Sequence, residues 1–201
     1  AFFHDDLHLV GFTPDLVKNL VRKKLTKAAA PAMDGWTREL LLPIVDNAEA
    51  LDEFTELLRD IFEGRTSDEV IRRFTASPLI ALQKDDGGIR PIAPESAIVK
   101  LLSHAALSFI PQEFLQLHLM HQHGVGGNIE GVVDIVRGMC IRKRYIALLD
   151  CRNAFNTVDR RAIVAALGAH AELAPVWRLA TWLLSPTCLC ALEDGRTSSM
   201  L

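Results

Sequence analysis

An α+β fold, mostly helical, is predicted by three features of the sequence. Apolar residues recur at helical spacing through the first third of the chain, the period switches to strand-like after Pro78, and two stretches carry hairpin turn signals. A chain of 201 residues fits one domain and can bury a sizeable core.

The first helix is expected from Thr13, with Pro14 in its first turn. Leu16, Val17, Leu20 and Val21 form its apolar face, and Ala28-Ala29-Ala30-Pro31 breaks it. A second helix follows Asp34-Gly35. A third, around Ala48 to Phe62, ends at Gly64, and a fourth starts at Thr66, where Thr66 and Glu69 have capping-box spacing. Pro78 to Lys84 then reads as a strand, Asp85-Asp86-Gly87-Gly88 as a turn, and Ile89 to Ala93 as the return strand, which Pro91 assigns to a sheet edge. Helices resume from about Glu95 to Ile110 and again after Pro111. A His- and Gly-rich loop, His121 to Gly127, leads to a helix capped by Asn128. Tyr145 to Leu149 reads as a buried strand. Asp159 caps a helix to about Ala169, Leu173 to Leu184 forms another, and Thr187 to Leu192 with Arg196 to Met200 flank Asp194-Gly195 as a second hairpin.

Apolar residues make up 49% of the chain and mean hydropathy is +0.17, yet no apolar run is long enough to span a bilayer. A surface this apolar is expected to meet a partner or a further segment. The net charge of −3 is unusual for a nucleic-acid binder, although Lys18, Arg22, Lys23, Lys24 and Lys27, and separately Arg142-Lys143-Arg144, form local basic clusters. Cys140, Cys151, Cys188 and Cys190 lack metal-site spacing and read as reduced core thiols of an intracellular protein. His118, His121 and His123 have no neighbouring ligand set and read as loop histidines. The opening Ala1-Phe2-Phe3-His4-Asp5-Asp6 has neither an initiator Met nor a signal-peptide pattern, and is expected to follow other sequence.

Chemistry concentrates in two places. An apolar strand that ends in Asp150 sets a carboxylate at a sheet rim, where it can help hold Mg²⁺ against a triphosphate; by spacing alone such an Asp is also an ordinary turn or helix-cap residue. The hairpin carries Lys84 and Arg90. A three-residue loop would set these two cations opposite each other, an arrangement an anion would relieve; a two-residue loop at Gly87-Gly88 would set Arg90 opposite Asp85 as a surface ion pair. The sequence leaves both registers open.

The string Tyr145-Ile146-Ala147-Leu148-Leu149-Asp150-Cys151-Arg152-Asn153-Ala154-Phe155 resembles the first catalytic motif of reverse transcriptases, in the wording of the non-LTR retrotransposon enzymes. Lys84 to Ile92 is similar to their fingers hairpin. Weaker matches follow in the family's order: Pro31-Ala32-Met33-Asp34-Gly35-Trp36, Lys100-Leu101-Leu102, and Gln122-His123-Gly124-Val125-Gly126-Gly127.

The resemblance implies a right-hand polymerase: a helical lead-in at 1–30, fingers at 31–143 and a partial palm at 144–201 with an incomplete antiparallel sheet. It implies that Asp150 is catalytic and binds Mg²⁺, and that Lys84, Arg90, Phe155 and Cys151 contact the incoming deoxynucleotide, Phe155 by leaving no room for a ribose 2′-hydroxyl. Asp34, Gly35, Gln122 and Gly124 become template or fold-motif positions. The implied partners are an RNA template, a DNA primer, and the remainder of the polymerase or a partner chain completing the palm, with no membrane; the implied compartment is the nucleus. The family's Asp-Asp hairpin does not follow Asp150 here, so these 201 residues are expected to be cut off before the second half of the active site and inactive alone. The alternative expectation is a catalytically inactive derivative that serves as a structural part of a ribonucleoprotein or other assembly.

Overall fold

The computed structural model describes residues 11–83, 85, 87–119, 129–147, 149–151, 157–184, 188–191 and 197–200. Helix α1 (Pro14–Lys23) begins where Thr13 accepts the Leu16 amide at 3.2 Å, with Pro14 in the first turn, and it buries Val17, Leu20 and Val21. These are the start and the face that its spacing predicts. Helix α2 (Arg38–Asp46) is capped by Thr37 and helix α3 (Ala48–Phe62) by Asn47, whose side-chain Oδ1 accepts the Ala50 amide at 3.0 Å. The end of α3 is set by Gly64 at φ +70°, the left-handed conformation that lets the Arg65 amide turn back to the Asp60 carbonyl at 2.8 Å.

Helix α4 (Asp68–Thr75) departs from expectation. Its N-cap is Ser67, one residue late, so Glu69 falls at the second helical position and the Thr66–Glu69 capping box does not form; the Thr66 hydroxyl is buried without a hydrogen-bond partner among the described residues. After α4 come β1 (Ser77–Pro78), β2 (Ile80–Gln83) and β3 (Ile89–Ile92), then α5 (Ala97–Ser108), α6 (Gln112–Leu119) and α7 (Ile129–Ile141). Helix α8 (Arg160–Gly168) starts at Asp159, whose carboxylate accepts the Arg161 amide at 2.9 Å. A 3-10 turn (Ala171–Leu173) leads into α9 (Ala174–Leu184), and β4 (Cys188–Ala191) pairs antiparallel with β5 (Thr197–Met200).

The core gathers residues from α1, α2, α3, α4, α5 and α9 in one cluster, from Phe12 to Trp182. At one end Phe12, Phe62 and Phe109 form a trio of tilted and edge-on rings with centroids 5.6–6.2 Å apart. Gly11 lies against this trio: a Cβ at that position would sit 2.7 Å from the Phe109 ring. Gly11→Val is therefore expected to cost about 1–3 kcal/mol, because Phe109 cannot retreat without disturbing the other two rings. Chemical denaturation of the two proteins measures the difference.

The fingers hairpin forms a sheet of its own, as expected, and the second sheet is mixed rather than purely antiparallel. β2 and β3 form a separate two-stranded ribbon, while β4 lies between β5 and the short β1, which runs parallel to it. The predicted strand Pro78 to Lys84 is thus divided: Ser77–Pro78 joins one sheet and Ile80–Gln83 the other. No strand is formed by the described residues of 145–149, and Tyr145 and Leu149 are fully exposed rather than buried. An apolar run becomes a strand only beside a neighbour, and none of the described strands pairs with this segment. Among the described residues no helix is long and apolar enough to cross a membrane.

Candidate functional site

The β2–β3 ribbon resolves the register that the sequence leaves open. Ile80 pairs with Ile92, Ala81 with Pro91, Leu82 with Arg90 and Gln83 with Ile89, and Gly87 takes φ +80° in the turn. Arg90 therefore lies opposite Leu82, and neither proposed arrangement occurs. Its cross-strand partner is an apolar residue, not Asp85. The observed register stacks branched aliphatic residues at the base of the ribbon and sets Gly87, with its positive φ, at the turn. Every residue of both strands is at least partly exposed, so Arg90 stands on a ribbon that no helix buries among the described residues.

The turn at Asp34 is built differently from the ribbon. The Gly35 amide donates to the Ala32 carbonyl at 3.2 Å, and Gly35 adopts φ +77°, which explains a glycine at that position. Asp34 is half-buried. One of its carboxylate oxygens accepts the Trp36 amide at 3.3 Å, and the other accepts a hydrogen bond from the Ser96 hydroxyl. Ser96 is buried and in turn accepts the Ile98 amide at 3.0 Å, capping α5. On the opposite arm of the ribbon the buried Ser77 donates to the Pro94 carbonyl at 2.6 Å. Ser96 had a local signal, a serine directly before an apolar helical run. Its link to Asp34, 62 residues away, had none.

Asp150 and Cys151 are exposed and lie outside any regular element. Cys140 is exposed as well, so two of the four predicted core thiols are surface thiols; the apolar sequence around them stays uncovered, as Ile141 and Tyr145 show. Lys84, Phe155, Gln122 and Gly124 lie outside the described residues. The site residues that the structure brings into contact are thus Asp34 and the previously unsuspected Ser96.

Among the described residues no group of three His, Cys, Asp or Glu side chains could hold a metal ion. A solvent-accessible carboxylate such as Asp150 suits Mg²⁺ in one specific way, as one of the one or two protein oxygens that the ion takes alongside phosphate oxygens and water.

Glu95, between Pro94 and the capping Ser96, is the carboxylate nearest the ribbon's exit. Burial raises its pKa above the ordinary glutamate value, against the opposing pull of Lys100. A raised acid is held protonated more tightly by the folded chain than by the unfolded one. Stability should therefore fall as pH rises from the ordinary glutamate value through the higher folded value. Glu95→Gln is expected to melt slightly higher than wild type at neutral pH, by no more than about 0.5 kcal/mol since Glu95 keeps solvent contact, with the difference vanishing in acid. Thermal melts across pH measure it.

A helical core, a projecting two-stranded ribbon and a small mixed sheet define an α+β chain with an exposed cation on the ribbon and an exposed carboxylate beyond α7. The chain is 38% identical over 179 residues, 89% of its length, to the retrotransposable element SLACS 132 kDa protein of Trypanosoma brucei gambiense. It spans 15% of that protein's length. The similarity relates the chain to a protein of a retrotransposable element. No protein-family model matches the chain, and no solved structure matches it.

Proposed function

We propose that this chain is the fingers and upper palm of an RNA-directed DNA polymerase of a retroelement, working within a longer polypeptide or beside a partner that supplies the remaining metal-binding carboxylates. The observation that carries this reading is the extent of the similarity. A match of 179 residues in a chain of 201 necessarily includes Lys84, Arg90, Asp150 and Phe155, and the matched protein belongs to a retrotransposable element.

In this reading Asp150 holds Mg²⁺, which supplies charge neutralisation at the transferred phosphoryl group and the leaving pyrophosphate. Lys84 and Arg90 grip the triphosphate from the ribbon; the Arg guanidinium offers a planar fork that fits two phosphate oxygens at once. Arg90 is suited to this because it lies opposite Leu82 rather than an acid. Phe155 closes the space beneath the sugar, so a nucleotide with a 2′-hydroxyl is rejected by overlap. The bare side chains of Tyr145 and Leu149 support a neighbour along that segment, either the rest of the palm or a partner chain.

The test is primer extension by the full-length protein that carries this sequence, on an RNA template with Mg²⁺ and deoxynucleotides. Templated extension supports the reading. Its absence from folded, RNA-binding protein would favour an inactive derivative with a structural role.

A further inference from the structure

Little packing holds the ribbon's direction among the described residues. All four residues of β2 and all four of β3 are at least partly exposed, with Ile92 at 37%, Ile80 at 44% and Leu82 at 47%, and a β-hairpin with no deeply buried face is not rigid by itself. Its two arms are nevertheless tied at the base. On the entering arm Ser77 is 5% exposed and donates to the carbonyl of Pro94 on the leaving arm, 2.6 Å away. On the leaving arm Ser96 is 2% exposed and uses both capacities of its hydroxyl, donating to Asp34 and accepting from the Ile98 amide at the start of α5. Asp34 spends its other oxygen on the Trp36 amide, within a turn that Gly35 fixes. One path of hydrogen bonds thus runs from the 32–36 turn through Asp34 and Ser96 to the ribbon's exit, and Ser77 closes it across to the entrance.

We propose that Asp34, Ser77 and Ser96 are positioning residues that set the direction of the β2–β3 ribbon, and through it the placement of Arg90 against the nucleotide's phosphates. The second half of this statement rests on the polymerase reading; the first does not. A hydroxyl at 96 is uniquely able to serve both neighbours, since it carries one proton for the carboxylate and lone pairs for the amide. Threonine retains both capacities; alanine removes one of the two hydrogen-bond donors to the half-buried Asp34 carboxylate.

Two measurements test this. Hydrogen-exchange mass spectrometry of the full-length protein compares wild type with Ser96→Ala, Ser77→Ala and Ser96→Thr. The alanine variants should speed exchange across residues 79–93 at least about tenfold while α1 and α3 remain protected, and the threonine variant should behave as wild type. In the full-length protein, Ser96→Ala should raise the deoxynucleotide KM about tenfold with kcat changed less than about threefold, and Ser96→Thr should restore it, because the loss lies in holding the triphosphate. Adding Arg90→Ala to Ser96→Ala should then cost little more than Arg90→Ala alone. Unchanged exchange in the alanine variants overturns the clasp. Faster exchange with an unmoved KM overturns its role in nucleotide placement. A wild-type protein without polymerase activity removes the polymerase reading and that role together, and exchange alone then decides the clasp.

Discussion

Asp150→Asn in the full-length protein should lower RNA-templated primer extension at least about a thousand-fold, roughly 4 kcal/mol of transition-state stabilisation. The asparagine amide keeps the size of the carboxylate and one carbonyl oxygen but removes the negative charge that Mg²⁺ requires, so the metal is lost or misplaced while the fold is undisturbed. Asp150 is exposed and belongs to no helix or strand, which is why its neutralisation should leave the melting temperature unchanged. Steady-state extension rates paired with thermal melts of both proteins check the two halves of this expectation. Equal loss of activity and of structure would assign Asp150 to the fold instead.

Phe62→Ala should destabilise the chain by about 3–5 kcal/mol. Phe62 is 1% exposed and meets both Phe12 and Phe109, with its ring nearly perpendicular to that of Phe109 at 5.9 Å. Truncation leaves a cavity in the region where the segment before α1, the end of α3 and the end of α5 converge, and none of these can close it without unpacking another. For a chain of this size the loss corresponds to roughly 6–20 °C in melting temperature. Differential scanning calorimetry measures it directly; a shift of only a few degrees would mean that the trio is loosely packed.

The helices were legible in the sequence wherever a cap and an apolar face agreed. Thr13 with Pro14, Gly64 and Asp159 each sit at a boundary they were suited to make. Thr66 was misread because Ser67 is an equally good N-cap by residue type, and a shift of one residue undoes a capping box. Both hairpins were legible from their turn residues. The register of the first was not, because a Gly-rich turn admits several loop lengths, and the choice that set Arg90 against Leu82 is made by cross-strand pairing.

Long-range contacts account for the rest. The parallel pairing of Ser77–Pro78 with β4 joins segments more than a hundred residues apart and involves only two residues, too few to show a period. The Asp34–Ser96 bond was likewise invisible, although each residue had a local role that could be read. For Tyr145 to Leu149 the composition of a buried strand was plain, but composition does not supply a neighbour to pair with. The candidate site was therefore legible as residue types in a familiar order, and illegible as geometry.

The central claim is that the ribbon and Asp150 serve one nucleotide. Substituting Fe²⁺ for Mg²⁺ in the full-length protein, with template, primer and deoxynucleotide bound, and then adding peroxide cuts the polypeptide only near the metal. Cuts are expected beside Asp150, with a second set in the ribbon between Gln83 and Ile89, both suppressed by excess Mg²⁺. Cuts beside Asp150 with none in the ribbon, or none at either place, would contradict that claim.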